Sequence, residues 1–190
     1  MAATELSAAS PRLRLPAGMA SAWLRAYTAI WAATVVSAAL VATGGPGLTQ
    51  PVRQLLGAHL TPHNTPPPNL SHILGLAAHN IPIAAWPLLL GVLGADRHRL
   101  TRQLADTLVV ACLLANTLIV GAALGAYGRP LVPYLPQLPL EWAGLALGAS
   151  SWLIQREREL TGRERLLWLA VTAGVLVCAA ALETVAVPHR

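Results

Sequence analysis

The chain has 190 residues, of which 55% are hydrophobic and 11% charged, whereas about a quarter of a soluble globular chain is charged. No charge falls between Arg53 and Asp96, between Asp106 and Arg129, or between Arg165 and Glu183. This is the composition of an integral membrane protein, and it excludes a cytosolic enzyme, a disulfide-stapled secreted domain and a disordered tail. All 13 basic residues are Arg, placed between apolar stretches instead of along one helical face with aromatics interleaved. The net charge of +5 therefore reads as topogenic, and no nucleic-acid partner is expected.

A hydrocarbon core of about 30 Å needs around 20 mostly apolar helical residues. After a tail at 1–25, expected in the cytoplasm, residues 26–43 meet that need and are closed by Gly44, Gly45 and Pro46. A cleavable signal peptide is the rival reading, but the apolar run is long for one, and an uncleaved anchor is favoured. Residues 44–70 hold six prolines and read as an external loop, with Gln50 to Leu60 as a short interfacial helix. The second span, 73–94, contains Pro82 and Pro87, where kinks are expected and where neighbouring helices or polar side chains must satisfy the freed carbonyls. The third, 107–126, carries Gly121 and Gly125, a small-xxx-small pair that permits close helix approach. Arg129 and four prolines then mark a loop. A fourth span, 138–154, is short; it includes Glu141, repeats the glycine spacing at Gly144 and Gly148, and has a re-entrant segment as its alternative. The fifth, 166–187, ends near Glu183.

The fold class expected is thus all-α, a polytopic bundle of about five transmembrane helices. Its orientation follows from the arginines. Ten lie in the N-terminal tail and the second and fourth loops, and three (Arg53, Arg129, Arg190) on the other side, so the N-terminus is expected inside and the C-terminus outside. Trp23, Trp152 and Trp168 then belong at the inner interface, and Tyr127, Tyr134 and Trp142 at the outer one.

Polar groups in lipid are costly, and each needs a partner. His79, Asn80, Asn116, Glu141 and Glu183 all fall in the outer half of the bilayer or near its midplane and could meet as one intramembrane cluster. Such a cluster could bind an ion, relay protons or recognise a polar substrate; interhelical hydrogen bonding is the structural alternative and the favoured one. His59, His63 and His72 suggest a metal site, but Pro62 spoils a helical pair and no Cys or carboxylate accompanies them, so no metal is expected. Cys112 and Cys178 lie inside spans as small apolar residues, with no disulfide expected. RERELTGRER reads as a solvated inner loop. Neither GxSxG nor HExxH occurs, and neither a cofactor nor catalytic residues are expected.

In order along the chain, LAAHNIPIAAWPLLLG, NTLIVG, LPQLPLEWAGLALGASSWL and AALETVAVP resemble the stage II sporulation protein M family of multi-pass bacterial membrane proteins. The resemblance covers roughly residues 70 to 188. Asn80, Gly91, Asn116, Gly121, Pro136, Glu141 and Glu183 match the family's pattern, while Gln137 and Leu138 stand where it has His-Gly. The resemblance implies a bacterial plasma membrane location and a non-enzymatic role as scaffold or anchor for peptidoglycan-remodelling enzymes, with an envelope protein or a second copy of the chain as partner besides the lipid bilayer. A transporter or permease subunit that uses the polar cluster as its ion or substrate site is the alternative. The topology is directly checkable: a cysteine placed at Asn64 should react with an impermeant thiol reagent on intact cells and one at Thr161 should not, and the reverse pattern would overturn the orientation.

Overall fold

The computed structural model describes residues 18–57 and 69–186. Among them the chain forms six α-helices: α1 (Met19–Thr43), α2 (Pro46–Leu56), α3 (Leu70–Val92), α4 (Arg99–Tyr127), α5 (Leu138–Gln155) and α6 (Gly162–Ala186), with a 3₁₀ turn at Arg129–Tyr134. No strand occurs among the described residues. Residues 58–68 of the proline-rich loop, with His59 and His63, and residues 1–17 of the N-terminal tail lie outside them. Four helices, α1, α3, α4 and α6, are long and apolar enough to cross a membrane.

Helices extend beyond the apolar windows because backbone hydrogen bonding does not stop at the hydrocarbon edge. α1 starts at Met19, within the expected tail, and α4 at Arg99, eight positions before Thr107. α2 starts at Pro46 and not at Gln50, because a proline costs nothing at the first helical position, where the N–H has no intrahelical acceptor. α6 starts at Gly162 through a capping box: the Thr161 N–H donates to Glu164 Oε2 at 2.8 Å, and the Glu164 N–H donates to Thr161 Oγ1 at 3.3 Å. RERELTGRER is therefore partly a helix start and not only a loop. α3 runs unbroken from Leu70 through Pro82 and Pro87 to Val92. It stops at Gly94, whose φ of 71° suits glycine, in a Schellman turn where the Ala95 N–H donates to Leu90 O and the Gly94 N–H to Gly91 O.

α5 is the centre of the bundle. It packs against α1, α3 and α6, while α4 packs chiefly along α1 and α2 packs on α4. Thirteen of its 18 residues are buried, including Ala146, Ser150, Trp152 and Gln155. Ser150, Ser151 and Trp152 are tolerated there because each side-chain donor meets an acceptor in the surrounding protein.

Small residues set the approach of the helices. A methyl group added to Gly148 would collide with the carbonyl oxygen of Ala84 on α3, and one on Gly144 would lie 2.6 Å from Leu176 Cδ2 on α6. Gly121 and Gly125 of α4 face the Thr34 and Ala38 carbonyls of α1 in the same manner. There the Ser37 hydroxyl donates to Leu118 O at 2.9 Å, a hydrogen bond between helices. The two α4–α1 pairings make those helices parallel, and Ala84 against Gly148 with Gly91 against Gln155 makes α5 parallel to α3. Trp23 joins the packing, as the more deeply buried Trp152 and Trp168 do: its indole donates to Ala143 O at 3.3 Å and stacks on Tyr27, which in turn meets Trp31 edge-on. Positions 23, 27 and 31 form an aromatic ridge at helical spacing, packed against the buried core.

The contrast between two glycines tests this account. Gly148→Ala should lower the thermal midpoint in detergent by the equivalent of about 1–3 kcal/mol, since a backbone must move. Gly174→Ala, on α6 with open space around it, should be neutral or stabilising by up to about 1 kcal/mol.

Candidate functional site

Two of the five polar residues expected to cluster come together. Glu141, in the first turn of α5, and Glu183, near the end of α6, line one cavity of about 350 Å³, walled by Val120 and Leu124 of α4, Leu56 of α2, and Leu131 and Tyr134 of the 3₁₀ turn. Local sequence puts Glu141 there. Pro139 opens α5, the Glu141 N–H makes its bond to Gln137 O at 3.1 Å, and the positive end of the helix dipole favours a carboxylate in this turn.

Gln137 precedes α5 without capping it. Its side chain turns inward: the residue is 4% exposed, it lines the same cavity, and its Oε1 has no hydrogen-bond partner. A buried amide oxygen left unpaired costs about 1–3 kcal/mol, so its position among two carboxylates is informative. Three acceptor groups converge on one space. Chemically, such a set suits a cation, a proton or another hydrogen-bond donor.

The other expected members lie elsewhere. His79 is exposed on α3 and Asn80 half-buried. The Asn116 amide donates to the Cys112 carbonyl one turn back at 2.8 Å, with Cys112 Sγ at 3.7 Å, so its own helix satisfies it. α3 packs on α5 and α6 while α4 packs on α1 and α2, and neither Asn lines the cavity. The single contiguous cluster is thereby corrected to a carboxylate pair with Gln137. Gly91 has a packing reason: a methyl group there would collide with the Gln155 side chain. Cys112 and Cys178 are free thiols, and among the described residues no group of three or more His, Cys, Asp or Glu could hold a metal ion.

A second polar group, at the opposite end of the bundle, has no counterpart in the sequence reading. Asp106 of α4 accepts the Trp152 indole N–H at 2.9 Å and pairs with Arg156 Nε at 3.4 Å. Its members are 46 and 50 positions apart (152 and 156 against 106), and no local spacing could have signalled them. Gln137 could have been noticed, since it stands where the resembled pattern has a histidine.

Comparison of the chain with protein-family models, curated proteins and solved structures finds no match. The site therefore rests on its own geometry. Gln137→Met, which keeps the volume and removes the unpaired oxygen, should hold or raise the thermal midpoint, by up to about 1–3 kcal/mol. A clear fall in a detergent melt would mean that the amide has a partner in the purified protein.

Proposed function

We propose that the chain is a non-enzymatic multi-pass protein of a bacterial plasma membrane that anchors or positions an envelope complex, as its resemblance to the stage II sporulation protein M family implies. The observation that supports this reading is that Glu141 and Glu183, which the resemblance draws from segments 42 positions apart (183 minus 141), line one cavity. In this reading α5 is the fourth of five spans and α6 the fifth, the N-terminus is cytoplasmic and the C-terminus external. The partner is an envelope protein or a second copy of the chain.

A second reading is favoured by the cavity's chemistry. Two carboxylates and an unpaired amide oxygen in an otherwise apolar space suit an ion or cationic substrate site, as in a small transporter or permease subunit.

Two measurements separate the readings. Mild-detergent purification from cells, followed by identification of co-purifying proteins, should recover an envelope enzyme or transporter if the chain is an anchor, and Glu183→Gln should leave that recovery unchanged. Purified protein alone in liposomes should then give no ion flux above empty vesicles. Flux that vanishes with Glu183→Gln, without a specific partner, would defeat the anchor reading and establish transport.

A further inference from the structure

At the end of the bundle away from the carboxylate cavity, a groove of about 400 Å³ runs between α1, α4 and α5. Its walls are apolar and built from small residues on one side, Ala29 and Ala33 of α1, and from branched ones on the other, Val109 and Leu113 of α4. Its mouth is charged: Arg25, Asp106 and Arg156 all line it.

The charge there is not balanced. Asp106 is already engaged by Arg156 and by the Trp152 indole. Arg25 is exposed, and among the described residues its guanidinium is bound only through Nε, to the Ser21 carbonyl of its own helix at 3.3 Å, with no carboxylate partner. Two guanidinium groups against one carboxylate leave one net positive charge beside an apolar slot. Guanidinium groups match phosphate oxygens in a planar fork, which makes them suited to a phosphate headgroup.

The dimensions agree with an occupant drawn from the bilayer. From Asp106 at the mouth to Thr117 at the far end is eleven residues of one helix, about 16 Å at the helical rise. That is about half of a hydrocarbon core of ~30 Å, the depth of a single leaflet. The charged mouth sits at the helix ends, where headgroups are, and the alanine wall extends toward the midplane.

We propose that this groove binds an anionic phospholipid, with its phosphate against Arg25 and Arg156 and an acyl chain along the alanines of α1. The site is independent of the carboxylate cavity and of either reading of the function. Alanine at positions 29 and 33 leaves room for the chain, and the unpaired Arg25 selects the charge.

The test is lipid binding to the full-length purified protein in neutral detergent, read by native mass spectrometry with phosphatidylglycerol and phosphatidylcholine of identical chains. Phosphatidylglycerol should bind the tighter of the two. Arg25→Gln should weaken it about five-fold, the effect expected for one cationic contact to an anionic lipid, and weaken phosphatidylcholine less, because its choline ammonium offsets the phosphate charge. Ala29→Leu, which fills the slot, should weaken both lipids. Arg25 and Ala29 are exposed, so both variants keep the packing, and an unchanged thermal midpoint verifies it. Equal binding of the two lipids, or an Arg25→Gln variant indistinguishable from the parent, would overturn the proposal. So would competition by inorganic phosphate as strong as by lipid, which would mean a headgroup-only site. A dimer mass that disappears with Ala29→Leu would likewise overturn it, by seating a second copy in the groove.

Discussion

Everything in this bundle depends on how closely α5 can be approached. Two helices at an ordinary separation leave room for side chains between them, but Gly148 lets α5 meet the Ala84 carbonyl of α3 with no side chain between, and Gly144 seats Leu176 of α6 in the gap it leaves. In lipid there is no hydrophobic force to drive one helix onto another, so association relies on such packing and on hydrogen bonds across the contact. The resulting enclosure surrounds Ser150, Ser151 and Trp152 of α5 with protein, where each side-chain donor finds an acceptor. The Ser150 and Ser151 hydroxyls return to their own helix, at the Leu147 and Gly148 carbonyls.

Enclosure by protein also accounts for which parts of the fold were legible in the sequence. α1, α3, α4 and α6 leave much of their apolar surface uncovered by protein, so their hydropathy declares them. α5 does not, and from sequence a short span and a re-entrant segment look alike. The helix ends were hidden for a different reason. Arg99 to Asp106 and Gly162 to Arg165 are polar and look like loop, yet their backbones continue the helices, and the Thr161–Glu164 capping box was the one local sign of this.

Pairing of polar groups was less legible still. Depth along the membrane is one coordinate, and the polar residues share it, but meeting also requires facing the same gap. Asn116 resolves its own need within one turn of α4, a solution open to any side-chain amide donor able to reach a carbonyl four residues back, and this removes the pressure toward a partner on another helix. A carboxylate has no such recourse, because it needs donors and a helix interior offers only carbonyls. Glu141 and Glu183 are thus left open to the shared cavity, while Asn116 is satisfied within its own helix.

The two ends of the bundle consequently differ in kind. Around the carboxylate cavity the described chain places two arginines, Arg53 and Arg129, and Arg53 is taken up in binding α2 to α4: its Nε donates to Ala126 O at 2.7 Å, and its guanidinium lies over the Tyr127 ring, whose hydroxyl donates back to Arg53 O. The opposite end holds eight arginines against Asp96, Asp106, Glu157, Glu159 and Glu164, an excess of three. Several of these are tied down: Arg97 pairs with Glu159, Arg156 with Asp106 and Arg158 with Glu164. These pairs link the loop before α4 and the loop before α6 to each other and to the rims of α4, α5 and α6, so these charges fasten the helix ends together. Arg25 takes no part in that fastening. Its cost in holding an unpaired cation beside an apolar groove is explained if its counter-ion comes from the bilayer, which offers anionic headgroups at that depth and is the one component always in contact with it.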